Sequence, residues 1–207
     1  MTADMDLASL PQQFTITLPA WVADELADVP EQLAALEERM ALAHRLADRN
    51  WREGTGGPFA AVVAERGTGR IVSVGVNAVL ASGVSSAHAE VTALGLAQAR
   101  TGAWDLGGDG MAEHELVVNA RPCVQCYGAT LWSGVRSLVI GVDGPEVEAI
   151  TTFDEGPMVA DWVEQFAARG IDVTRDVLHD EGVAVLSAYR EAVDAGEVTV
   201  YNARTGA

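Results

Sequence analysis

Two short motifs, His88-Ala89-Glu90 and Pro122-Cys123-Val124-Gln125-Cys126, constrain this chain more than any other feature of it. Cysteines at i and i+3 near the start of a helix place both sulfurs on one side of its first turn. The positive end of the helix dipole favours their thiolate form there, which is the form a metal needs. Residues i and i+2 do not share a face in the middle of a helix. His88 and Glu90 can therefore serve one site only from a helix N-terminus, where first-turn side chains converge. Together the motifs demand a fold in which two helix N-termini meet.

The rest of the chain supplies a frame of that kind. Leu33, Leu36, Met40, Ala43 and Leu46 recur at helical spacing, with Glu37, Glu38, Arg39 and Arg45 on other faces, predicting a helix that ends near Asn50. A glycine-rich loop, GTGGPF, leads into a buried strand over residues 59–65. The turn signal RGTGR joins it to a second strand over 71–76, giving a β-hairpin. Ser85 or Ser86 is the expected N-cap of a helix over 87–100. After a Gly- and Asp-rich loop at 101–110 comes a strand over 115–119. Pro122 then falls at the expected first position of a helix reaching Ser133. A strand at 137–142, a helix at 158–169, a short strand at 171–174 and a helix at 180–195 complete the order.

A hairpin followed by alternating helix and strand predicts an α/β fold, a three-layer αβα sandwich with a mixed central sheet. Pro11, Pro19 and Pro30, with little periodicity around them, mark residues 1–30 as an N-terminal extension lying over the domain. Residues 31–195 form the domain, and 196–207 a tail.

With His88 as a third donor beside Cys123 and Cys126, the expected site binds one Zn2+ per chain through three protein ligands. A tetrahedral ion then keeps one position open, as catalytic rather than structural sites do. Two thiolates neutralise the dication and weaken its pull on a bound water, so a nearby carboxylate, Glu90, is needed as general base. Two rival readings are a non-catalytic zinc protein and a thiol-redox pair, the latter leaving His88 and Glu90 idle.

Charge narrows the partners. The formal net charge is −17, with 13 basic residues against 30 acidic ones and no basic run. Neutralising a nucleic-acid backbone needs clustered Lys and Arg, so neither nucleic acid nor an anionic membrane is an expected partner. The first residues, MTADMDLASLPQQF, lack the charged and apolar regions of a secretory signal, and no apolar run reaches the length of a membrane span. A cytoplasmic location is expected.

In this order and spacing, H-x-E followed by P-C-x-x-C is the signature of the zinc deaminases. The chain resembles the cytidine-deaminase-like superfamily, and within it the guanine deaminase branch, whose bacterial members act on guanine or ammeline. GGPFAAVV (56–63), GVNAVL (75–80), SSAHAEVTAL (85–94), PCVQCYGATLWSGVRSLVIG (122–141), VEAITTFDEGP (147–157) and VYNARTG (200–206) carry that likeness. The resemblance implies a small-molecule nucleobase substrate, with guanosine, ammeline and cytosine as alternatives to guanine, and a homodimer. It implies that Asn77 bonds the base, that Phe59 and Trp132 wall the pocket, and that Glu155 is a second catalytic carboxylate. Guanine offers adjacent N1–H and amine donors that such a carboxylate can accept together. It also implies that Tyr201-Asn202-Ala203-Arg204 closes over the pocket, its own or a neighbour's. Arg121 departs from the branch, which carries Glu before Pro-Cys, and Gln125 is atypical between the cysteines.

Overall fold

The computed structural model describes residues 7–203. A 3-10 turn (Leu7–Ser9) and α1 (Trp21–Leu26) precede the long α2 (Leu36–Arg52). The hairpin β1 (Ala60–Glu65) and β2 (Ile71–Val76) follows, then a short α3 (Val79–Ser82) and α4 (Ala89–Thr101). Next come β3 (His114–Ala120), α5 (Val124–Trp132), β4 (Ser137–Val142) and α6 (Gly144–Thr151). The chain ends with α7 (Trp162–Ala167), β5 (Asp172–Thr174) and α8 (His179–Asp194). The strands form one mixed sheet in the order β2-β1-β3-β4-β5, with β1 antiparallel to both neighbours and β3, β4 and β5 parallel. The expected α/β sandwich is the observed one.

Alternation along the strands builds two cores, one on each side of the sheet. Ala61, Val63, Leu116, Val118, Leu138 and Ile140 face α4, α5 and α7. Ala60, Val62, Val117 and Val139 face α2, where Met40, Ala43, Leu46 and Ala47 are fully buried. Each large apolar side chain buried this way contributes roughly 1.5–3 kcal/mol. A register shift opposite Val63 and Ala64 lets Val72 join the α4 side while Val74 and Val76 join the α2 side. Arg39 of α2 bonds the carbonyl of Leu33 and pairs with Glu115 of β3 at 2.6 Å, both side chains buried.

Three elements are absent from the reading of the sequence. Trp21 and Val22 anchor α1 in the α2-side core, inside the stretch expected as an extension. The α3 turn has too few residues for a periodic pattern. α6 carries a legible signal: Asp143 caps it by accepting the Gly144 N–H at 2.7 Å, and a proline stands in its first turn. α7 is shorter than expected and begins at Trp162 rather than 158. No helix among the described residues is long and apolar enough to cross a membrane.

One glycine decides where α4 lies. A Cβ on Gly75 of β2 would stand 2.2 Å from the Ala89 carbonyl oxygen and 2.5 Å from the Ala93 nitrogen. Only a bare backbone lets the first turn of α4 rest directly on β2. That contact sets the position of His88 and Glu90.

Candidate active site

Both motifs sit at helix N-termini, and each helix begins two residues later than the sequence suggested. α4 is capped by His88 itself, in extended conformation (φ −74°, ψ 157°), and not by Ser85 or Ser86. α5 is capped by Cys123 (φ −66°, ψ 173°), which leaves Pro122 outside the helix instead of at its first position. The His88 carbonyl accepts the Thr92 N–H at 3.0 Å and the Cys123 carbonyl accepts the Tyr127 N–H at 2.8 Å. Neither side chain makes a capping bond. The extended backbone turns both of them toward each other, which resolves how i and i+2 in His88-Ala89-Glu90 share a site.

His88 Nδ1 lies 3.4 Å from Cys123 Sγ and 3.5 Å from Cys126 Sγ. A tetrahedral zinc with Zn–S of about 2.3 Å and Zn–N of about 2.0–2.1 Å separates N and S donors by roughly 3.5 Å. The three donors therefore fit the ion as they stand. They are the only such group of three or more His, Cys, Asp or Glu side chains among the described residues.

The electrostatics around them show what the ion would balance. A hydrogen bond from Cys126, and next the His88 ring, hold the Cys123 thiol down to about 4. The Cys126 thiol is pushed well above its ordinary value by the same bond and by burial. One thiolate is stable without a cation and the second is not, so the pair is built for a dication. Glu90 is buried, and burial, then the Cys123 charge, raise its pKa. Glu155 is raised to about 8, first by burial and then by Cys123 and Glu90. Two carboxylates with elevated pKa thus flank one thiolate centre, a pattern typical of proton-transfer sites.

These groups open into a cavity of about 500 Å³. Of the residues singled out from the sequence, Phe59, Asn77, His88, Glu90, Glu155 and Tyr201 line it, as does Cys123. Trp132 does not: it closes α5 at the end away from Cys123 and is 81% exposed, so within one chain it walls nothing. Phe153, which sequence reasoning passed over, takes an aromatic place in the wall. It packs edge-on against Phe59 at 5.3 Å and Tyr201 at 5.2 Å, and stacks on Tyr189 at 5.7 Å.

The rim is tied together by bonds between distant segments. Tyr201 donates to Asn77 Oδ1 at 2.6 Å and accepts the Gly57 N–H at 2.8 Å. Asn202 accepts the Asp154 N–H at 3.0 Å and donates to the Thr152 carbonyl at 2.9 Å. Arg204, the last residue of the expected lid motif, lies outside the described residues. Beneath the rim, Asn50 donates to the carbonyls of Gly57 and Asn77, both at 2.8 Å, while Asn119 bonds Ala60 and Pro58. Neither buried asparagine was signalled by any motif.

Arg121 lines the cavity near the cysteines, but its guanidinium pairs with Asp143 at 3.5 Å and stands over the Trp162 ring at 5.9 Å. Its charge is answered by the cap of α6. The remaining histidines bond elsewhere: His44 to the Leu178 carbonyl, His114 to the Leu106 carbonyl, His179 to Glu146.

Residues 34–142 match the family model of the cytidine and deoxycytidylate deaminase zinc-binding region. The guanine deaminase of Nitrosomonas europaea is 43% identical in its solved structure, with 88% of this chain and 98% of that one covered at a TM-score of 0.82. A mutant of that enzyme solved in complex with 8-azaguanine shows 43% identity over 87% of this chain and 98% of that one, also at 0.82. Guanine deaminase from Bacillus subtilis (strain 168) is 38% identical over 85 residues, 41% of this chain, which span only half the length of that relative. With its motif residues converged as a zinc site requires and the family model covering both motifs, the chain belongs to the cytidine and deoxycytidylate deaminase zinc-binding family.

Proposed function

We propose that the chain hydrolyses the exocyclic amine of a free purine base, converting guanine and water to xanthine and ammonia. The observation that carries this reading is the placement of Glu155 and Asn77 around the same cavity as Glu90 and the metal donors. The likeness to a guanine deaminase, a mutant of which is solved in complex with 8-azaguanine, supports it. His88, Cys123 and Cys126 would hold zinc, which when bound supplies the Lewis acidity that makes water a nucleophile at neutral pH.

The chain's own groups do the rest. As the carboxylate, the form that a bound zinc dication favours, Glu155 accepts the paired N1–H and amine donors of the base and turns C2 toward Glu90, while Asn77 donates to the ring carbonyl beside N1. Phe59 and Phe153 exclude solvent from the ring faces. Glu90 takes a proton from the attacking water and passes it to N3. It then takes the proton of the new C2 hydroxyl and gives it to the amine. Ammonia leaves as the carbonyl of xanthine forms. An ammonia-release screen over guanine, guanosine, ammeline, cytosine, cytidine and adenine tests the reading. Guanine is expected to be turned over fastest, and release from none of the six would overturn it.

A homodimer is part of the same reading. Val124 and Trp132 lie eight residues apart on α5, at helical spacing for one stripe, and are 43% and 81% exposed. A second copy covering this stripe accounts for a tryptophan left in water. Light scattering should give twice the chain mass, and W132D should return it to one. The two free cysteines suit a reducing compartment, and we assign the protein to the cytoplasm.

A further inference from the structure

Tyr201 stands apart from the other cavity residues because its hydroxyl is fully committed within the protein. A backbone N–H can only donate, so the Gly57 N–H at 2.8 Å occupies a lone pair of the phenol oxygen. Gly57 admits this approach because it has no side chain; a Cβ there would lie 3.0 Å from the Tyr201 oxygen. The single phenol proton is then directed to Asn77 Oδ1 at 2.6 Å. A second obligate donor, the Val79 N–H, reaches the same Oδ1 at 3.2 Å. The Val79 N–H can only donate, so this atom is the carbonyl end of the amide, and the phenol proton reinforces that orientation. The side-chain hydrogen bonds of Asn77 among the described residues all fall on Oδ1, and Asn77 lines the cavity.

We propose that Tyr201 is a positioning residue that, with the Val79 N–H, holds the polarity of Asn77, so that the amide meets the base as a donor. A donor-only amide donates to a ring carbonyl and is the poorer partner for an exocyclic amine at the same position. On the guanine reading, which this inference rests on, the tail therefore sets the preference for a 6-oxo over a 6-amino purine. The latch extends further. Asn202, next to Tyr201, bonds Thr152 and Asp154 on either side of Phe153 and just before Glu155. The tail thus holds both edges of the base-reading rim, and selectivity and closure are one event.

The test compares guanine with 2,6-diaminopurine, which carries an amine where guanine has its carbonyl. Calorimetry on zinc-loaded E90Q protein measures both affinities without turnover. With Tyr201 present, guanine should bind more tightly. Adding Y201F, which keeps the ring against Phe153, should cut that preference by about tenfold, the worth of one directing hydrogen bond. With Glu90 restored, Y201F should raise KM for guanine while kcat stays within about twofold. N77D, which presents only acceptors, should favour the diaminopurine while Tyr201 remains in place. If Y201F weakens both bases equally and leaves the preference intact, the tail is a lid and the polarity role is wrong. A chain with Tyr201 in place that binds no guanine would instead overturn the guanine reading.

Discussion

The metal centre and the base-reading rim border the same cavity, yet they are built in opposite ways. The metal centre comes from two short stretches, each turned inward by a helix start, with all three donors buried or nearly so. The rim is assembled from the 56–60 loop, the Asn77 turn, the 152–155 segment and the tail, joined by bonds between residues up to 144 positions apart. On the proposed function, reaction type resides in local backbone geometry, whereas the choice of base resides in long-range contacts. One end should be all-or-none and the other tunable.

Removing a ligand is the sharpest way to break that contrast. C126S, at a fully buried position, should lose zinc and all turnover together; metal analysis beside an ammonia assay checks both, and retained activity would break the division. E155A should keep one zinc per chain yet lower kcat/KM for guanine by about 10²-fold, because the base is no longer aligned with Glu90. Metal loss in E155A would show that the two ends are not separable. Deleting residues 200–207 should cost about tenfold in kcat/KM, mostly through KM, with zinc content unchanged. The smallest effect concerns the frame beneath both ends. Burial holds the His44 imidazole below its ordinary 6.5, so the unfolded chain binds that proton more readily. Stability from this group is complete above pH 6.5 and is lost as pH falls below it. Glu90 and Glu155, held above their ordinary range, act in the opposite direction over the same window, so the comparison is between variants: from pH 7.5 to 5.5 the urea midpoint of the parent should fall relative to that of H44Q, and an unchanged difference would contradict it.

The same contrast explains what could be read from the residues. β1 and β4 announce themselves as short continuous apolar runs because both their faces are buried, and most of α2 through periodicity because one of its faces is. The metal donors and Glu90 follow from spacing and chemistry alone. The caps were misplaced because a side chain committed to a site does not look like a cap: His88 and Cys123 hold the N-cap position without capping bonds. Trp132 shows the limit of a motif carried over residue by residue, since nothing local tells which way the end of α5 faces. Asn50 and Asn119 leave no trace in any pattern because their partners are backbone groups of a distant loop. A latch such as Tyr201 to Asn77 becomes visible only once the tail is folded back.

On the proposed function, Glu90 moves protons beside a zinc ion that other residues hold. Zinc-loaded E90Q measures it most directly, by metal content and by xanthine formation from guanine on the same sample. One zinc per chain, guanine still bound and turnover reduced by roughly 10²–10⁴-fold relative to the parent are expected. E90Q that keeps its zinc and still forms xanthine within tenfold of the parent rate would contradict it.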